Sequence, residues 1–153
     1  MAANRIKIAK DKVELVKALV ASKDTTGPFQ TYVEVMVFAA ALGTKYKKRV
    51  PLEGIAKDLS PLRQDYFATS FTMLINLLAI TETKDIKILG DDDTADEQRI
   101  HIFEEYANGG LEILQNELRG AVDYSERLLL ILSSERFKQK KEDEEFDLSK
   151  FLS

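Results

Sequence analysis

From Val33 to Leu42 the chain has one polar residue, Glu34, and the run ends at Gly43 in the cationic string Thr44-Lys45-Tyr46-Lys47-Lys48-Arg49. A helix that is apolar all round has no face to give to water, so other elements must enclose it. This segment is expected to be the central post of the fold, delivering a cationic loop to the surface. Thr31-Tyr32-Val33-Glu34 marks its start: at capping-box spacing, the hydroxyl and the carboxylate each satisfy an otherwise orphan backbone donor. Gly43 stands where a helix end favours positive φ, and the lysines beyond it lie at the negative end of the helix dipole.

Around that post the hydrophobic period sets the other elements. Asn4 to Ala9 alternates, with Arg5 and Lys7 on one side and Ile6 and Ile8 on the other, the period of a short strand that needs a pairing partner. A first helix is expected near residues 10–22 from Val13, Leu15, Val16, Leu19 and Val20; Gly27-Pro28 then supplies a turn. A short helix is expected over Leu52 to Leu59. Ser60-Pro61 reads as the start of another helix, running to about Ile80 with Tyr66, Phe67, Phe71, Leu74, Leu77 and Leu78 on its core face and Met73 and Ile75 widening it. A long helix follows from Glu97 to Arg119, where Gly109-Gly110 either permits close backbone packing or marks a kink. Gly120 ends it, and Asp123-Tyr124-Ser125-Glu126 caps a helix that reaches Phe137. The fold class is mainly α: one domain over residues 1–137, with five to six helices and a short N-terminal strand.

Residues 138–153 form a charged extension. Lys138 to Glu145 has no apolar member, and beyond it Leu148, Phe151 and Leu152 stand at the spacing of one helical turn, with Phe146 just ahead of them. So short a helix is marginal unless it docks, so Phe146, Leu148, Phe151 and Leu152 are candidates for docking on this domain or on a partner.

Composition removes several kinds of chemistry. Without cysteine, thiolate nucleophiles, disulfides, iron–sulfur clusters and Cys-ligated zinc are out of reach. No apolar run approaches the roughly 18 residues that cross a bilayer, and the start lacks a secretory core, so a cytoplasmic protein is expected. His101 stands alone as the one histidine and reads as structural or surface. Asp91-Asp92-Asp93 lacks the alternation of a calcium loop, and Asp85-Ile86-Lys87 lacks the strand context of a metal-dependent nuclease. Glu104-Glu105, and Glu112 with Glu117, read as ordinary exposed helix carboxylates. No catalytic residue, metal or cofactor is expected.

Charge points to recognition instead. Residues 1–50 carry ten Lys/Arg against four Asp/Glu, whereas residues 51–153 carry twelve against twenty-two. The basic half contains the candidate DNA contacts Arg5, Lys7, Lys45, Lys47, Lys48 and Arg49. Strand, helix, helix over residues 4–43 is the order of a ribbon-helix-helix unit, which would bind duplex DNA as a homodimer. An edge strand pairing with Lys48-Arg49-Val50-Pro51-Leu52 is the competing use of the same residues.

Several strings resemble a known family: Arg5-Ile-Lys-Ile-Ala-Lys-Asp-Lys12 with Glu14-Leu-Val-Lys-Ala-Leu19, Gly27-Pro-Phe-Gln-Thr-Tyr32, Val37-Phe-Ala-Ala-Ala-Leu-Gly43, Lys48-Arg-Val-Pro-Leu52 and Ile102-Phe-Glu-Glu-Tyr-Ala-Asn-Gly-Gly-Leu-Glu-Ile-Leu114. They are similar to the bacterial Dnd system-associated proteins called DNA phosphorothioation-associated protein 4, and Glu145-Phe-Asp-Leu-Ser-Lys-Phe-Leu152 resembles the ending of cyanobacterial members. The resemblance spans nearly the whole chain and carries no catalytic residues. It implies a small cytoplasmic accessory of systems that replace a non-bridging phosphate oxygen of DNA by sulfur, and of the restriction machinery that spares modified DNA. Two expectations follow: a non-enzymatic module that binds proteins of such a system, or a DNA-binding regulator.

Overall fold

The apolar periodicities resolve into five α-helices in a computed structural model describing residues 5–21, 27–57 and 59–152, without the side chains of 139 and 141–152. These are α1 (Val13–Leu19), α2 (Tyr32–Lys45), α3 (Thr69–Thr83), α4 (Asp93–Glu117) and α5 (Tyr124–Leu152). Single turns of 3₁₀ helix occupy Lys10–Lys12, Gln64–Tyr66 and Ile86–Leu89, and the described residues contain no sheet. The chain divides into two units, residues 1–117 and 118–153.

In the first unit α4 contacts α2 and α3, and α2 packs most extensively against it. Helix α2 is enclosed as its composition demands: from Tyr32 to Ala40 no residue is exposed, and Val35, Ala39 and Ala40 are fully buried. The central post, however, is α4, the helix touching most other elements. Phe103, Leu111 and Leu114 of α4 and Met36 and Val35 of α2 are fully buried, each such side chain contributing about 1.5–3 kcal/mol by leaving water. Phe67 closes edge-on over Phe103, with ring centroids 5.9 Å apart.

Small residues set how closely α2 and α4 approach. A methyl group added at Gly110 would overlap the Ala39 carbonyl, and one at Gly43 the Tyr106 carbonyl. Gly109-Gly110 is thus a packing device inside an uninterrupted helix. Gly43 likewise lies within α2 rather than ending it. The helix runs on to Lys45, and positive φ falls on Lys47 at 53°. The cap is as expected: Thr31 Oγ1 accepts from Glu34 N at 3.1 Å, and the Glu34 carboxylate accepts from Gln30 N at 2.9 Å.

Two expectations fail in the segment between α2 and α3. Among the described residues Leu52 to Leu59 forms no helix, and Ser60-Pro61 starts none; α3 begins at Thr69. The segment instead satisfies the N-terminal residues, in two isolated bridges rather than a strand. Ile6 and Leu62 exchange backbone hydrogen bonds of 2.8 and 2.7 Å, Ala56 N donates to Ile8 O, and Lys10 N donates to Gly54 O. Pairing with residues 48–52 does not occur, because that loop lies on α4: Val50 N donates to Glu105 O at 3.0 Å, and Asn108 Nδ2 donates to the Val50 and Pro51 carbonyls.

The acidic loop before α4 is structural. Asp92 Oδ2 accepts from Ala95 N at the start of α4, and Arg99 donates to the carbonyls of Ile88 and Gly90. Asp85-Ile86-Lys87 enters a 3₁₀ turn, not a strand.

In the second unit Gly120, at φ 79°, turns the chain, and Asp123 Oδ1 accepts from Glu126 N to cap α5. Helix α5 is continuous to Leu152, so the boundary expected at 137/138 falls inside it. The side chains of Phe146, Leu148, Phe151 and Leu152 lie outside the described residues.

Candidate functional site

The clamped loop puts Arg49 where three elements of the first unit meet. Its Nε donates to Glu105 Oε1 of α4 and its Nη1 to Glu82 Oε1 of α3, both at 2.7 Å. The guanidinium also lies 5.9 Å from the centre of the Tyr106 ring. Burial works against its charge, but the bonds to Glu105 and Glu82 outweigh that and hold its pKa above the ordinary value. Tyr106 donates its hydroxyl to Glu82 Oε2 at 2.5 Å. That bond and Arg49 keep the Glu82 carboxyl below the usual range, and the same bond raises the Tyr106 phenol.

Beside this network is an open cleft of about 710 Å³, lined from three directions. The N-terminal segment contributes Lys7, the end of α3 Glu82 and Thr83, and α4 Thr94, Glu97, Gln98, His101 and Glu104. Glu104 is 5 % exposed. Its Oε2 accepts from the Lys7 backbone N at 2.5 Å, and its carboxyl has no other hydrogen bond among the described residues. Burial pushes its pKa up against the lowering effects of the Lys7 amide and ammonium. His101 is 63 % exposed on the rim, 3.4 Å from Glu105 Oε2, in keeping with the expected surface histidine.

The two carboxylates expected to be exposed are therefore buried: Glu104 at 5 % and Glu105 at 6 %. Their spacing carried the signal. Glu104 lies four residues after Ile100 and three before Ala107, both buried, so it shares the core stripe.

Of the candidate DNA contacts, Lys7 and Arg49 meet at the cleft. Lys48 pairs with Glu112 at 3.6 Å, and Arg49 is held by two carboxylates. Arg5, Lys45 and Lys47 are exposed. The N-terminal segment has its backbone engaged within the chain at Ile6, Lys7, Ile8 and Lys10, leaving little free edge for a second copy to form a ribbon.

Among the described residues no group of three His, Asp or Glu is placed to hold a metal ion, and no helix is long and apolar enough to cross a membrane. No curated protein and no solved structure matches the chain. One family model does, over residues 5–151, and it is described as DNA sulphur modification system-associated protein 4.

Proposed function

Because the chain belongs to the DNA sulphur modification system-associated protein 4 family, we propose that it serves such a system as a non-enzymatic accessory that docks on a larger protein of the system. The observation that carries this reading is the outer face of α3. No residue from Thr69 to Thr81 is charged, and Met73 and Leu77, expected on the core face, are instead 66 % and 61 % exposed. With Ser70, Leu74, Asn76 and Ile80 they line one shallow groove. Apolar side chains grouped around a groove on an uncharged helix face are the composition of an interface core. In the second unit α5 exposes Leu129, Leu130, Leu132 and Phe137, and Phe146, Leu148, Phe151 and Leu152 are proposed as a further docking turn.

The test is co-purification from the native host, read as capture of proteins encoded with the system. Paired Met73→Asp and Leu77→Asp substitutions are expected to reduce capture at least fivefold, with stability kept within about 0.5 kcal/mol because both sites are exposed. Undiminished capture overturns the role of α3, and truncation before Phe146 assigns the tail's share. Nuclease treatment addresses the alternative, direct duplex contact through Arg5, Lys7, Lys45, Lys47, Lys48 and Arg49. Capture lost to nuclease, together with duplex affinity that falls steeply with salt, would favour it over docking.

A further inference from the structure

We propose that the cleft of Lys7, Glu82, Glu97 and Glu104 receives the guanidinium of an arginine presented by the polypeptide that docks on α3. The source of the arginine rests on the docking reading; the chemistry of the cleft does not.

Glu104 is buried as a residue, only the Lys7 amide bonds to its carboxylate among the described residues, and it forms part of the cleft wall. An incoming cation would recover the hydration the carboxylate has lost. The balance of charge agrees. Glu82, Glu97 and Glu104 line the cleft and Glu105 stands behind it, against Arg49 and Lys7. Arg49, Glu82 and Glu105 are committed to one another, which leaves Glu97 and Glu104 against the single charge of Lys7. An anionic group would meet the carboxylates of Glu97 and Glu104, so a phosphate ligand is disfavoured.

Shape selects among cations. Ile100 and Ile102 add apolar lining suited to a methylene stem, while Thr83, Thr94 and Gln98 add acceptors around the carboxylates. A planar guanidinium with five donors can engage such divergent acceptors together, where a compact ammonium cannot. A cleft that is open and larger than one side chain suits a group carried on a chain. Thr83 is six residues beyond Leu77, about 9 Å along α3 at 1.5 Å per residue but about 120° round it at 3.6 residues per turn, so the partner must wrap the end of α3 to reach both groove and cleft.

The experiment titrates the full chain with N-acetyl-arginine amide, N-acetyl-lysine amide, N-acetyl-citrulline amide and spermidine, following backbone amide resonances. Saturable shifts at Lys7, Glu97, His101 and Glu104 are expected with the arginine probe. Lysine and spermidine should bind at least threefold more weakly, and citrulline should not bind. Glu104→Gln keeps an acceptor for the Lys7 amide and should weaken arginine binding about tenfold, the scale of one hydrogen bond to a charged group. Glu112→Gln, outside the cleft, should leave it unchanged. Equal binding of citrulline or spermidine, shifts confined to other residues, or undiminished affinity in Glu104→Gln would each overturn the proposal. No probe contains the partner, so arginine binding that persists while the α3 substitutions leave capture intact would refute only the docking reading.

Discussion

A methyl group at Gly110 has nowhere to go, because its neighbour is backbone, the Ala39 carbonyl on the facing helix. Gly110→Ala must therefore push α2 and α4 apart, and urea denaturation is expected to show a loss of about 2–4 kcal/mol despite the better helix propensity of alanine. Gly120→Ala is the control. It has open space around it and only its φ of 79° to strain, so it should cost about 1 kcal/mol. Glu104 gives a prediction of opposite sign. Its folded pKa lies above the ordinary 4.5, so its ionisation opposes folding, and the native state gains stability as pH falls through that raised value toward the unfolded one. Glu104→Gln removes the titration. Its melting temperature at neutral pH should equal or exceed that of the wild type and vary less with pH above about 4.5.

At the scale of elements, sequence periodicity located the long helices and both caps, because those signals are local. Thr31→Ala removes a hydroxyl accepting from Glu34 N, and should lower stability by about 1 kcal/mol in chemical denaturation. The segment from Leu52 to Leu62 was illegible for the converse reason. Its apolar residues and Ser60-Pro61 satisfy helix rules, but the backbone donors and acceptors of Ile6, Ile8 and Lys10, some fifty residues away, claim its own. Gly43 and Lys47 show the same limit: the glycine stays helical where it lies against the Tyr106 carbonyl of α4, and a lysine takes the left-handed turn. The cleft was half legible. Lys7 and Arg49 stand out by charge, whereas Glu104 and Glu105 read as solvent-facing because charge alone hides their place on the core stripe.

Across the whole molecule, the uneven charge along the sequence is partly spent inside the chain. Lys48 and Arg49, from the basic first fifty residues, pair with Glu112, Glu105 and Glu82 from the acidic remainder. Acid should expose this dependence. Glu82 has its pKa lowered by Tyr106 and Arg49, so it contributes stability that is complete above the ordinary 4.5 and is lost as pH falls through its folded value. Thermal scans from about pH 5 down to pH 3 should show a fall that Glu82→Gln makes shallower.

The close approach of α2 and α4 also bears on the order of events during synthesis. Helix α2 leaves the ribosome more than sixty residues before the Gly109-Gly110 surface that covers it. Until then its alanine face is bare and the nascent chain is a natural client for chaperones. Translation arrested before that glycine pair should leave α2 open to protease.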